Sequence, residues 1–206
     1  MSKALVTFAV GPHEKLLDVA LPSFHTFADR HGYDLVIPEP IDCSRPPSWW
    51  KIPALIAALE QYDEALFLDA DMVIVDPSED LGVDAWAWQA LVEHHTGDGD
   101  VPNCAVWLVR RPMLPFLHIA WSLEQYLHHG WWEQAAMHEL MGYEGRPVRR
   151  VAQTELLDHT QFLDNGWNVH IWDRPVTERP RIMHATMFPD RLAVMREWAR
   201  IAEEAA

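Results

Sequence analysis

Cysteine is scarce. Only Cys43 and Cys104 occur, and nothing in their spacing suggests a metal site. That argues against a disulfide scaffold and fits reduced thiols in a cytoplasmic protein. Positive charge is also short: 16 Lys and Arg stand against 31 Asp and Glu, a net charge of −15. So acidic a chain is poorly suited to broad binding of nucleic acid or anionic membrane. It also makes a bare phosphate site awkward, which raises the value of a bridging cation. No apolar run approaches the length that spans a bilayer. The run after Lys3 faintly imitates a signal peptide, but Gly11-Pro12-His13 ends it and no small-residue cleavage site follows. Internal repeats, low-complexity tracts and linkers are absent too. With no anchor or signal in view, the expectation is a cytoplasmic protein.

What is present points to a folded α/β chain. At 206 residues, 49% of them hydrophobic, there is enough for one domain with a sizeable core. Residues 3–10 read as a first strand. A helical pattern over 16–31 follows, interrupted at Pro22 and stopped by Gly32. Residues 33–37 read as strand two. After a proline-rich loop, Ser48 is placed to cap a helix with Trp49, Ile52, Leu55 and Leu59 on its apolar face. Then comes Ala65-Leu66-Phe67-Leu68, an apolar run that reads as a buried strand. The order β-α-β-α-β implies parallel strands. Downstream, 72–75 and 104–109 read as strands, and 85–92 alternates loosely enough to be one. Residues 93–100, with His94-His95 and two glycines, read as a polar, mobile loop. Helices are expected over 112–129 and 131–141. Residues 156–172 look irregular, 181–184 read as a late short strand, and 191–204 as a terminal helix.

The chemistry gathers where the third strand ends. Asp69-Ala70-Asp71 places two carboxylates at the carboxyl end of an apolar strand, where open α/β sheets bind ligands. Two carboxylates there are costly unless something positive neutralises them. A divalent cation suits, because hard cations take oxygen ligands. A phosphatase of the haloacid-dehalogenase type also carries Asp-x-Asp after a strand. There, however, Gly-Thr usually follows and the motif sits near the N-terminus, whereas here Met72-Val73 follows.

Four stretches in order resemble the retaining galactosyl-, mannosyl- and xylosyltransferases of glycosyltransferase family 34, and more distantly the glycogenin-like family. They are Ser48-Trp49-Trp50-Lys51-Ile52-Pro53 through Asp71; Asn103 to Arg110, with Ala105 where Gly is usual; Trp132-Glu133-Gln134-Ala135-Ala136; and Arg181-Ile182-Met183-His184. Two departures stand out. Trp132 occupies a position where an acidic residue is usual, and no Gly-x-Lys follows His184, although Arg191 is nearby.

The resemblance implies a GT-A (nucleotide-diphospho-sugar transferase) fold: one Rossmann-like, mixed, mainly parallel sheet flanked by helices. It implies a single domain over 1–206, with residues to about 100 serving nucleotide and metal and residues from about 101 serving the acceptor. The activity implied is metal-dependent sugar transfer, with retention, from a nucleoside-diphosphate sugar, UDP-linked, to a glycan, lipid-linked or small-molecule acceptor. Asp69, Asp71 and His184 would bind Mn²⁺ or Mg²⁺. Glu133 and Gln134 would lie at the reacting carbon. Thr7, Ala9, Gly11, Lys51, Ala70 and Asn103 would meet the donor, Lys51 as a cation facing phosphate. Asp164, Trp167 and Asn168 are candidate acceptor contacts, and Trp131, Trp167 and Trp172 a candidate stacking face. Two other classes fit parts of the pattern: a non-catalytic, Trp-rich carbohydrate-binding protein, and a metal-dependent phosphatase or nucleotidyltransferase.

Overall fold

A computed structural model describes residues 1–39, 44–171, 177 and 179–205. Its first half follows the expected alternation: β1 (Lys3–Val6), α1 (Glu14–His31), β2 (Tyr33–Val36), α2 (Lys51–Gln61) and β3 (Glu64–Leu68). β1 lies between β2 and β3 and is parallel to both. Every residue of β3 is buried, which is why residues 65–68 are an unbroken apolar run; Glu64 at its start pairs with Arg110 at 2.8 Å.

Pro22 does not break α1. A proline inside a helix costs about 3 kcal/mol. The buried stripe Leu16, Ala20, Phe24 and Phe27 continues across it, and burying each large side chain returns about 1.5–3 kcal/mol. Gly32, at φ 71°, ends the helix as expected. Ser48 does not cap α2. A 3₁₀ turn over Pro47–Trp50 leads into that helix, and the Ser48 hydroxyl is buried without a hydrogen-bond partner among the described residues.

β4 (Met72–Ile74) is followed by β5 (Gln89–Thr96) and β6 (Gly99–Arg110), which pair as a hairpin. Residues 93–100 are thus the hairpin's end rather than an open loop, and His94 is buried. β6 also pairs antiparallel with β3. α3 (Leu114–Ser122) stops well short of residue 129. It is followed by α4 (Trp132–Leu140), the short pair β7 (Tyr143–Glu144) and β8 (Arg149–Arg150), and α5 (Glu155–Asp158). The stretch expected to be irregular contributes β9 (Thr160–Leu163), which pairs parallel with β5. β10 (Ile182–His184) and α6 (Arg191–Ala205) complete the chain.

The main sheet runs β2-β1-β3-β6-β5-β9, with β6 alone reversed, so it is mixed and mainly parallel. Its two faces carry separate apolar layers. Ala65 and Phe67 pack with Trp49, Leu55 and Trp107 on one side; Leu66 and Leu68 pack with Phe24, Val73 and Met195 on the other. That alternation is the period-2 geometry of a strand. β4 and β10 form a small antiparallel pair beyond the end of β3, and that pair positions the site. Among the described residues, no helix is long and apolar enough to cross a membrane.

Candidate functional site

Asp69 and Asp71 lie in the turn from β3 to β4. The Asp69 N–H donates to the Ala105 carbonyl at 3.0 Å, and the Asp71 carbonyl accepts from the Ala185 N–H at 2.8 Å. The second bond fixes the turn to the end of β10, whose register sets His184 opposite Met72. Asp69, Asp71 and His184 therefore each offer a ligand atom, all within 4.8 Å of one another. His184 Nε2 is 3.2 Å from Asp71 Oδ1, and Arg191 Nη1 is 3.0 Å from Asp71 Oδ2. Burial works to raise the pKa of Asp71, but His184 and Arg191 outweigh it and hold the carboxyl well below its usual range.

The tautomer of His184 follows from its neighbours. The Ala105 N–H donates to Asn103 Oδ1 at 2.9 Å, which marks that oxygen as an acceptor. The same oxygen accepts from Asn168 Nδ2 at 2.9 Å, so Asn168 turns its own oxygen to His184 Nδ1, 3.0 Å away. Nδ1 therefore carries a proton. His170 Nε2 also lies 3.0 Å from Nδ1. Burial, with His184 and His94 close by, pushes His170 down to about 2, so it is neutral. His184 Nε2 then faces a carboxylate oxygen, where the ring nitrogen can donate a proton or bind a cation. Two carboxylates and an imidazole, held from behind by an amide, make a set that fits a divalent cation such as Mn²⁺ or Mg²⁺.

Beside this set lies a buried ionic network. Lys51 Nζ is 3.0 Å from Asp69 Oδ1, 3.1 Å from Glu133 Oε1 and 2.9 Å from the Cys104 carbonyl. An ammonium has three protons, and all three are used. Lys51 therefore does not present a free cation to phosphate as the sequence suggested; it joins a metal-side carboxylate to Glu133. Burial opposes its charge, yet the two carboxylates raise its pKa above the ordinary value. Burial raises that of Glu133, with Lys51 pulling the other way. Glu133 Oε2 has no hydrogen-bond partner among the described residues. Gln134 Oε1 accepts from the Cys104 N–H at 3.2 Å, and His138 Nε2 contacts the Pro102 carbonyl at 2.7 Å. Both contacts tie α4 to β6.

These groups surround one cleft of about 1470 Å³. The three candidate ligands, Glu133 and Gln134 line it, as do Ala9, Gly11, Lys51, Ala70 and Asn103. Thr7 does not reach it; the residue is buried and its N–H bonds the Val36 carbonyl. A side niche of about 170 Å³, lined by Ala9, Val10, Ile37, Pro38 and Trp50, opens at the end of β1. The expected acceptor residues are elsewhere. Asp164 caps the turn at Gly166 and pairs with Arg181. Trp167 is buried, with the Arg181 guanidinium 4.5 Å from its ring. Asn168 is fully buried behind His184. Trp131 does line the cleft, whereas Trp172 lies outside the described residues. His94, His170, Trp132 and Met187 also line it, beyond what the sequence led us to expect. No periodicity marks them; only the His94 alternation on β5 and the break of pattern at Trp132 could have pointed there.

No protein-family model matches the chain, and no curated protein does. Solved structures do. A glycosyltransferase involved in the glycosylation of the major capsid of PBCV-1 matches with a TM-score of 0.65 at 17% identity, over 98% of this chain and 100% of that one. The glycosyltransferase GlyE of Streptococcus pneumoniae TIGR4 matches at 0.64 and 16%, over 99% of this chain and 63% of that one. The galactosyltransferase LgtC, solved with donor and acceptor sugar analogs, matches at 0.60 and 12%, over 98% and 95%. At such identities the likeness speaks to architecture: this chain has the GT-A fold.

Proposed function

We propose that this chain is a metal-dependent glycosyltransferase, similar to family 34, that moves a sugar from a UDP-linked donor to a glycan, lipid-linked or small-molecule acceptor with retention. The observation that carries the reading is the convergence of Asp69, Asp71 and His184 at the carboxyl end of β3, in the same cleft as Glu133. Chemistry of the site supports it: the three ligand atoms fit Mn²⁺ or Mg²⁺, which would supply Lewis-acid stabilisation of the departing diphosphate.

The chain's own residues take the remaining roles. Asn103, Gly11 and the backbone around Ala70 meet the donor, and Ala9 borders the niche that takes its nucleobase. Arg191, at the first turn of α6, stands in for the lysine that the family pattern places after His184. Glu133, its negative charge held by Lys51, faces the positive charge that develops at the anomeric carbon, with Gln134 beside it. The chain acts as one domain: residues to about 100 supply most of the donor side, Asn103, His184 and Arg191 reach it from the later half, and the rest of that half serves the acceptor.

A thermal-shift series of nucleotides with and without Mn²⁺ tests this, because a ligand of the native state raises its stability. UDP should raise the melting temperature only when Mn²⁺ is present. No shift from any nucleotide with Mn²⁺ would overturn the reading in favour of a glycan-binding module without catalysis.

A further inference from the structure

Among the described residues, two that are not glycine have a positive φ: Trp132 at 44° and Met187 at 65°. Both line the cleft, and both leave a large apolar side chain exposed, by 43% and 64%. A left-handed backbone is disfavoured for any residue with a Cβ and most for a bulky one. Glycine would fit at no steric cost, and Gly130 stands only two residues earlier. Neither backbone preference nor core packing accounts for an indole at this position. Such strain survives where the surroundings over-determine the conformation, and it gathers at ligand sites.

The surroundings of Trp132 do so. Its N–H donates to the His129 carbonyl at 3.0 Å, and the Gln134 N–H donates to the Trp131 carbonyl at 3.0 Å. One residue on, Glu133 is buried and held by Lys51. This tight entrance to α4 turns Glu133 inward and leaves the neighbouring indole on the lip of the cleft. Trp86 is also exposed, but its indole N–H bonds Asp84 at 3.2 Å and it does not line the cleft. Trp131 is engaged on its own side, with the Arg146 guanidinium 5.6 Å from its ring and the His138 ring 5.5 Å away.

A pyranose has a C–H face and a rim of hydroxyls. An aromatic face suits the first; a carboxylate and an amide suit the second. Trp132, Glu133 and Gln134 supply all three in consecutive residues beside the candidate metal set. We infer that the Trp132 indole is the platform on which a pyranose ring of the acceptor stacks, with Glu133 and Gln134 meeting its hydroxyl edge. This rests on the glycosyltransferase reading, and it fills the place left by Asp164, Trp167 and Asn168, whose side chains are engaged elsewhere. The position at which the family pattern has an acid becomes, in this chain, a determinant of acceptor specificity.

The test is calorimetric titration of methyl β-D-galactopyranoside, methyl β-D-glucopyranoside and methyl α-D-mannopyranoside into protein saturated with UDP and Mn²⁺. At least one should bind. Trp132→Ala should weaken that binding roughly tenfold or more, and Trp132→Phe should stay within about threefold of wild type. Trp132→Gly, which relieves the backbone, should lose as much as the alanine variant. All three variants should bind UDP with Mn²⁺ as wild type does. The inference is overturned if Trp132→Ala binds the glycoside as well as wild type, or if no glycoside binds wild type. Should UDP with Mn²⁺ fail to bind wild type, the glycosyltransferase reading falls alone. The same comparison without nucleotide then decides whether Trp132 binds sugar.

Discussion

The Lys51 ammonium lies 3.1 Å from the Glu133 carboxylate, and both groups are buried. The same ammonium reaches Asp69, so one cation joins the metal side of the cleft to the base of α4. Removing it strands a carboxylate out of water. Breaking a buried pair costs about 3–5 kcal/mol, much of it from the partner left behind. Lys51→Met should therefore lower unfolding stability by about 3 kcal/mol in urea titration. Lys51→Met/Glu133→Leu should recover a good part of that loss. Equal losses in the single and double variants would show that the pair is not coupled.

Asn168 lies behind His184, out of reach of a sugar, and holds the tautomer of that imidazole. Losing an outer partner of this kind lowers metal affinity by roughly 10–100-fold, because the ligand then loses its fixed orientation and basicity. Asn168→Ala should thus weaken Mn²⁺ binding by at least about tenfold, with all three ligands intact. Titration of Mn²⁺ followed by electron paramagnetic resonance checks it, with circular dichroism to confirm the fold. Unchanged affinity would remove the Asn103–Asn168–His184 chain from the site.

Arg191 Nη1 sits 3.0 Å from Asp71 Oδ2, a position that opposes a second cation. Arg191→Ala should tighten binding of free Mn²⁺ severalfold while weakening UDP in the presence of Mn²⁺ by about tenfold, or about 1.4 kcal/mol. Opposite movement of the two affinities is the signature. A parallel loss of both would mean that the guanidinium only supports the fold.

His138 gives the stability a pH dependence. Burial pushes it down to about 4, its Nε2–H donating to the Pro102 carbonyl. The unfolded chain, with an imidazole near about 6.5, binds the proton more tightly. The stability is therefore present in full above about pH 6.5 and is lost as pH falls towards about 4, a change of roughly 3 kcal/mol. His138→Gln keeps an N–H donor but does not titrate. The difference between wild type and this variant should shrink or reverse across that window, as read by urea unfolding at several pH values. A difference independent of pH would contradict it.

Much of the site is legible in the sequence, for identifiable reasons. β3 and the two carboxylates after it stand out because the strand is buried on both faces and the turn is polar. His184 is reachable only through the ordered resemblance, since nothing local separates it from other histidines. β9 is hard to see because Thr160-Gln161-Phe162-Leu163 is short and exposes Phe162, so neither length nor alternation marks it. The end of the β5–β6 hairpin looks like a loop because its side chains are polar, while its backbone bonds lie across the pair. Lys51 stands out as a cation of the site, but spacing along a chain does not reveal which acceptors fold onto an ammonium. Asp164 and Asn168 have only chain position to recommend them and Trp167 only its ring, and each is held by a structural partner.

The proposed chemistry depends on the cation that Asp69, Asp71 and His184 would hold. Calorimetric titration of UDP into wild type and Asp71→Ala, each with Mn²⁺ and with chelator, tests this most directly. Wild type should bind UDP only with Mn²⁺, and Asp71→Ala should bind it under neither condition while keeping its circular dichroism spectrum. Metal-dependent UDP binding that survives in Asp71→Ala would contradict the assignment.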